Sequence, residues 1–349
     1  MTSYFVRRFL LILPTFIGVT ILVFTLTRLV PGGPIERMLN EAALAGAEGS
    51  TTISAGIDGR GGSVLSDEQI EQLKRYYGFD KPVILSYFDW LGKVFTLDLG
   101  TSTRYTEPVW ETIKSRLPIS IFYGVATLIL TYGVCIPLGI VKAIKHKTAF
   151  DNVSSALVFF GYAIPSYVVG IACLTLFAAN LEWFPLSGFV SDDFDDLSTI
   201  GKALDILDHA ALPLVAYLAG SFAVTTMLMK NSLMDNLAAD YVRTAIAKGM
   251  AFRRAVFAHA CRNSLIPLAT SFGNTITLVI TGSFLIEKIF NIDGFGLLGF
   301  ESLVERDYPV VMGILVISSL LFLIGNILSD ICVAFVDPRV KFGSGGSNQ

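Results

Sequence analysis

The side chains in this sequence that could do covalent chemistry are few and poorly grouped for it. His146, His209 and His259 stand on or near different polar segments, with no H-E-x-x-H pair and no G-x-S-x-G elbow anywhere. Each reads as an ordinary interfacial residue. Cys135, Cys173, Cys261 and Cys332 lack C-x-x-C spacing and three of them fall in apolar runs, so packing is expected rather than a disulfide or a metal site. No G-x-x-x-x-G-K-[ST] is present to cradle a nucleotide. Arg28, Glu287 and Asp330 lie near the ends of apolar runs whose central turns carry no ionisable group. Ion-coupled transport ordinarily needs intramembrane charges as relays. A chain without them that moves a solute uphill must take its energy from another subunit.

The residues that do cluster are basic. Lys230, Arg243, Lys248, Arg253, Arg254 and Arg262 fall within 230–263, against only Asp235 and Asp240. Ala238, Tyr241, Val242, Ala245 and Ile246 follow helical spacing, which predicts one apolar face with Arg243 and Lys248 directed away. Gly249 then ends that helix with a cation in its last turn. A second helix is expected over about 252–261, with Phe252, Ala255, Val256 and His259 on one side. A helix–glycine–helix element of this kind can lie on a membrane surface. The small Ala245 and Ala247 suggest close helix approach instead, and periodicity is compatible with both.

The elements that must carry this segment are apolar. Hydrophobic residues make up 53% of the 349, charged residues only 16%, and mean hydropathy is +0.62, too little charged surface for a water-soluble chain. A helix needs about 20 apolar residues to cross a bilayer. Candidate spans are 9–30, 118–141, 153–180, 210–229, 264–286 and 309–336, so the class is all-α polytopic with about six transmembrane helices. Arg7 and Arg8 precede the first run, which has no small-residue cleavage site and reads as a retained span.

Orientation follows from Lys and Arg near the spans. Arg7, Arg8, Lys142, Lys145 and Lys147 share a side with the 230–263 segment, while Glu182, Asp192, Asp193, Asp195, Asp196, Asp205 and Asp208 mark the other. Both termini are therefore expected in the cytoplasm. Residues 31–117 form the main external region. Gly, Ala and Ser without periodicity predict a mobile loop over 35–65, and Ser66 with Gln69 opens a helical part over 66–96. There Ile84, Tyr87, Phe88, Leu91, Val94 and Phe95 are expected along one face of a small folded cap. The core is expected over 118–336 and a tail over 337–349, with Gly343-Ser-Gly-Gly-Ser347 a disordered linker.

Asp240-Tyr-Val-Arg-Thr-Ala-Ile-Ala-Lys-Gly249, followed by Arg262-Asn-Ser-Leu-Ile-Pro267, resembles the EAA-type loop of ATP-binding-cassette (ABC) importer permeases of the oligopeptide/dipeptide family. Tyr241, Arg243, Thr244, Ala245, Ala247, Lys248, Gly249, Asn263 and Pro267 carry the match, and Ile246 departs from the Arg usual there. Similar motifs run through the chain: Pro31-Gly-Gly-Pro34, Tyr77-Gly-Phe-Asp-Lys-Pro82, Asp98-Leu-Gly100 with Ser102, Arg116-Leu-Pro118, Gly161-Tyr-Ala-Ile-Pro165, Arg306-Asp-Tyr-Pro309 and Asp337-Pro-Arg339. Their order and spacing are together highly specific. Gly32-Gly33-Pro34 and the 35–65 insertion look most like the Yej-type branch.

The resemblance implies a MetI-like, type I importer permease of the bacterial inner membrane, a non-enzyme without cofactor of its own. It implies four partners: a second homologous permease, a cytoplasmic ATPase with two nucleotide-binding domains that holds ATP and Mg, a periplasmic peptide-binding protein, and membrane lipid. No nucleic acid is implied. Residues Tyr241, Arg243, Thr244, Ala245, Ala247, Lys248 and Gly249 would contact the ATPase. The substrate would be an oligopeptide or a peptide antibiotic such as microcin C, with dipeptides or nickel the alternatives from close relatives. A peptide in transit exposes polar backbone, so Asn274, Thr275, Thr277, Thr281 and Ser283 are candidate pathway-lining residues. A passive channel would want a charge ring or a repeated pore loop, and an intramembrane enzyme would want catalytic pairs at depth. Neither is visible.

Overall fold

The structure, a computed structural model, describes residues 2–29, 71 and 80–336. The described residues are helical, with a lone β-bridge between Thr101 and Pro108. In chain order the helices are α1 (Thr2–Leu29), α2 (Val83–Phe95), α3 (Val109–Ile144), α4 (Ala149–Ala163), α5 (Ser166–Cys173, continued by a wider π-helical stretch Leu174–Asn180) and α6 (Thr199–Ala238). Then come α7 (Asp240–Ala247), α8 (Phe252–Ala255, continued by π-helical Val256–Ala260), α9 (Cys261–Ser264), α10 (Ile266–Ile280), α11 (Phe284–Ile289), α12 (Phe295–Val304) and α13 (Tyr308–Val336). The expected 35–65 loop, the expected helix start at Ser66 and Gln69, and the tail beyond 336 lie outside the described residues.

Three helices, α3, α6 and α13, are long and apolar enough to cross a membrane. α4 and α5 pass the same test only when taken together, and they are bent by 92° to one another. The continuous helix expected over 153–180 is therefore corrected to two helices with a sharp bend between them. Its cause is local: Pro165 bars helix at the residue before it, and Ile164 adopts φ −89°, ψ 125°. The expected span 264–286 is also shortened, because α10 ends at Ile280 and Gly282 turns the chain with φ +78°.

α6 is longer than its apolar run. Ser198 caps its start, Oγ accepting from the Gly201 amide at 3.2 Å, so Asp205 and Asp208 sit on helix rather than in an acidic outer loop. At the other end the helix runs to Ala238, taking in nine residues of the segment expected as loop from 230. Forty residues at 1.5 Å each make a rod of about 60 Å, roughly twice the hydrocarbon thickness.

The chain divides into two compact units. One holds the described residues within 1–12, 115–298 and 318–349. Its interior has two apolar clusters: Tyr123, Ala216, Tyr217, Ile286, Phe290 and Ile292 form one, and Met229, Leu233, Val242, Val256, Ala260 and Leu268 the other. α10 crosses α13 where Gly273 meets the backbone of Gly325, and any side chain at either position would collide with it.

The second unit holds the described residues within 13–114 and 299–317. Here α2 packs on Phe16, Thr20 and Phe24 of α1, and Tyr87 Oη lies 3.0 Å from Thr20 Oγ1. Asp307 accepts from Ser102 Oγ at 2.5 Å and from the Arg104 amide at 3.2 Å, while the Arg104 guanidinium pairs with Glu301 and Glu305. Two motifs about 200 residues apart in sequence thus form one strut.

Candidate functional site

The basic segment folds back on the C-terminal end of α6. α7 begins at Asp240 after Ala239 leaves helical conformation (φ −72°, ψ 147°), and one turn of its surface is buried through Val242. Ala255, Val256 and Ala260 from the next stretch join Val242 against Met229 and Leu233 of α6 and Ala143 of α3. The wide apolar face expected for α7 is narrower: Tyr241 and Ile246 are exposed, and Val242 is its one buried side chain. The reason is that a single helix turn meets the supporting core, leaving the flanking positions outside.

Lys248 caps α7 and Gly249 follows with φ +89°. The Gly249 amide donates to Ile246 O at 2.9 Å and the Met250 amide to Ala245 O at 3.2 Å, the paired bonds of a Schellman turn. No atom lies within 4 Å of where a Cβ would stand, so it is the left-handed backbone that demands glycine there. Tyr241 Oη donates to Asn236 Oδ1 at 2.7 Å and accepts from Asn263 Nδ2 at 3.0 Å. That relay ties α7 to α6 and α9, joining the two halves of the loop motif. Arg243, Thr244, Ala247 and Lys248 remain exposed, and Ala245 is half-buried. A shallow cavity of about 520 Å³ opens between Tyr241, Thr244, Lys248, Gly249 and Arg254.

Beside this element lies an ionic cluster that sequence reasoning missed. Asp151, in the first turn of α4, accepts from Lys230 Nζ of α6 at 2.7 and 2.8 Å and from the Lys147 amide at 3.1 Å. Lys142 of α3, 0% exposed, lies 3.3 Å from the same carboxylate and donates to Asp151 O, Ser154 Oγ and Ser155 Oγ at 2.8–3.0 Å. His146 Nδ1 stands 3.3 Å away. Burial alone would raise the Asp151 carboxyl. The bonds from Lys230, the Lys147 amide and Lys142 overcome it and hold the group well below the usual carboxylate range. Lys142 and Lys230 read as loop cations in sequence; the one local signal is Asp151, the lone acid beside Lys142, Lys145 and Lys147, and nothing in sequence ties it to Lys230.

A second buried carboxylate, Glu287, is held without any lysine. Its Oε2 accepts from the Leu297 amide at 2.5 Å, at the start of α12, and Tyr217 Oη lies 3.5 Å from Oε1. Gly282, Gly294 and Gly296 wall it in, and a Cβ at Gly282 or Gly294 would run into the carboxylate. The Ser283 amide donates to Tyr217 Oη at 3.3 Å, and the Phe295 amide to Ser120 Oγ at 2.8 Å. Sequence reading placed Glu287 only at a span end. The glycines at 282, 294 and 296 were its one visible trace.

The candidate pathway residues divide. Thr275 and Thr281 are half-buried and bond carbonyls of their own helix, Ser271 O and Thr277 O, each at 3.0 Å. Ser283 precedes α11. Thr277 is buried, donating to Gly273 O at 2.8 Å and toward Leu321 O of α13 at 3.4 Å, because the glycine crossing brings α13 over it. The side chain of Asn274 lies outside the described residues.

Comparison with known proteins gives the setting. Residues 135–342 match the family described as binding-protein-dependent transport system inner membrane component. The chain is 38% identical to the peptidoglycan transport system permease protein YejB of Agrobacterium fabrum, over 98% of this chain and 99% of that one. It is 39% identical to the inner membrane ABC transporter permease protein YejB of Escherichia coli O157:H7, with the same coverage. It is 33% identical to the oligopeptide transport system permease protein AppB of Bacillus subtilis, over 98% of this chain and all of that one.

Proposed function

This chain belongs to the inner-membrane permease components of binding-protein-dependent ABC transporters, in their peptide branch, and on that premise we propose that it is one half of an ATP-driven peptide importer. In this reading six spans place both termini in the cytoplasm, and a second, homologous permease completes the pathway. A periplasmic binding protein delivers the peptide at the outer surface, where the Ser102–Asp307 strut supports 97–108 and 301–307. The cargo is a short peptide. Relatives named for oligopeptides and for peptidoglycan share peptide-bonded chains, and a peptide antibiotic such as microcin C belongs to the same chemical class.

The single observation that carries the reading is the two-sidedness of α7 through α8. Val242, Ala255 and Val256 lock it to α6, while Tyr241, Arg243, Thr244 and Lys248 stay exposed around a cavity. An element fixed rigidly on one side and open on the other passes a push from a docked ATPase into a spanning helix. Ile246 adds an exposed apolar side chain to the open face, at the position where the family resemblance implies Arg. ATP binding in the partner then biases two arrangements of the spans through differential contacts.

The test is Gly249→Val in the assembled complex in vesicles. Valine resists the left-handed backbone at φ +89°, so the turn and the open face distort while insertion proceeds. ATP hydrolysis should continue with peptide uptake lost. Wild-type uptake by this variant would refute the coupling role.

A further inference from the structure

Helix α2 presents three arcs around its axis, with the small Ser86 also buried between the polar arc and Trp90. Tyr87, Leu91 and Val94 are buried, at i, i+4 and i+7. Phe24 lies 5.5 Å, centroid to centroid, from both Tyr87 and Trp90, and Phe16 lies 6.2 Å from Phe95. These pairings run α2 antiparallel alongside residues 16–24 of α1. A second arc carries Ile84, Phe88 and Phe95 at i, i+4 and i+11, flanked by Leu85, and these remain 70%, 61%, 63% and 56% exposed. The third is narrow and polar: Asp89 and Lys93 are exposed, and Lys81 Nζ reaches Asp89 at 2.5 Å. The single apolar face expected from sequence is therefore two faces, one packed on α1 and one bare.

Residues 16–24 are the middle of the first apolar run, 9–30, and Ile21 and Leu22 on the same stretch are also exposed. The solvent around the middle of that run is hydrocarbon if it crosses the bilayer. A helix packed antiparallel along it shares that solvent. Water on the second arc would leave three large side chains in contact with it on one stripe, whereas acyl chains suit all three.

We propose that α2 is embedded in the lipid beside α1, with Ile84, Leu85, Phe88 and Phe95 against acyl chains and Asp89 and Lys93 toward headgroups and water. The segment joining the first span to α3 then enters the bilayer, where its sequence reads as a cap surrounded by water. This inference is independent of what the permease carries.

The experiment uses single cysteines at Ile84, Phe88, Phe95, Tyr87, Asp89 and Lys93 in the full chain, with the four native cysteines replaced by serine. Each is spin-labelled in vesicles of phosphatidylethanolamine and phosphatidylglycerol. Collisions with oxygen and with a water-soluble nickel chelate are then compared. Labels at 84, 88 and 95 should favour oxygen, those at 89 and 93 the chelate, and that at 87 neither. Chelate access at 84, 88 and 95 would overturn the proposal in favour of an aqueous cap. Protection from both probes there would overturn it in favour of a protein neighbour such as a second permease. A membrane-dissolved diazirine reagent applied to the wild-type protein reads the same face without substitution. It should label the peptide spanning 83–97, and absence of label there would count equally against the proposal.

Discussion

Two carboxylates buried in the first compact unit, Asp151 and Glu287, are neutralised in opposite ways. Asp151 is held by side chains: Lys142 from α3 and Lys230 from α6 converge on it. Glu287 is held by backbone, through the Leu297 amide inside a wall of glycines, with a tyrosine hydroxyl on its other oxygen. The first arrangement joins three separate helices through long, flexible partners. The second folds one short stretch, 282–298, around its own acid. A cluster of side chains tolerates repartnering because any one member can move. A backbone nest does not, because its donors are fixed by the fold and its walls are the absence of side chains.

If that contrast is right, the largest effect should come from a single methyl group. Gly294→Ala places a Cβ against the Glu287 carboxylate, and peptide uptake and assembled yield should both collapse. Combining it with Glu287→Ser should recover part of the yield, measured by detergent-resistant complex on a sizing column. No recovery would mean the glycine serves something other than this cradle.

The Asp151 cluster should respond by degrees. Asp151→Asn leaves two lysines facing each other without an anion, and breaking a buried pair in this way costs about 3–5 kcal/mol. Lys230→Met leaves Lys142 in place as a partner and should cost clearly less in thermal unfolding of the purified complex. Equal losses would place the weight on Lys230 instead. Tyr217→Phe should be smaller again, about 1 kcal/mol, because the Leu297 amide still holds Glu287.

The subtlest difference is in pH. The Asp151 carboxyl is depressed in the folded state, so its contribution is fully present above the unfolded carboxylate value of about 4. It is lost as pH falls from there through the folded value. The stability gap between wild type and Asp151→Asn should therefore be flat from pH 7 to about 5 and shrink only under stronger acid. A gap that closes near neutrality would show that a group other than Asp151 governs the cluster.

Much of this was legible in the sequence, and the exceptions share a cause. The apolar runs inside α3, α6 and α13 were visible because a bilayer imposes length and composition together. Tyr241 to Gly249 was visible because its helix spacing and terminal glycine are local. The bend at Ile164–Pro165 was signalled by proline, yet a proline inside an apolar run is also compatible with a mild kink. The extent of α6 was hidden because Lys202, Asp205 and Asp208 before the run and Lys230 and Asp235 after it look like loop charges, although they continue the helix. The partners of Asp151 were hidden by distance, Lys230 lying 79 residues away. Those of Glu287 were hidden by kind, since an amide carries no residue name. The split of α2 into two apolar faces needed the position of α1, which periodicity does not supply.

The length of α6 has a mechanical consequence. A helix of about 60 Å that tilts by about 5° around its centre sweeps each end through about 2.5 Å, in opposite directions. One end carries the α7 turn and the other carries Asp205 and His209, so a small displacement at the first arrives at the second without passing through any chain of side-chain switches. What such a lever requires is stiffness. Pro213, buried about a third of the way along, removes one backbone hydrogen bond and is where that stiffness is lowest. The travel available at the Asp205 end is set as much by this one imide as by the displacement at the α7 end.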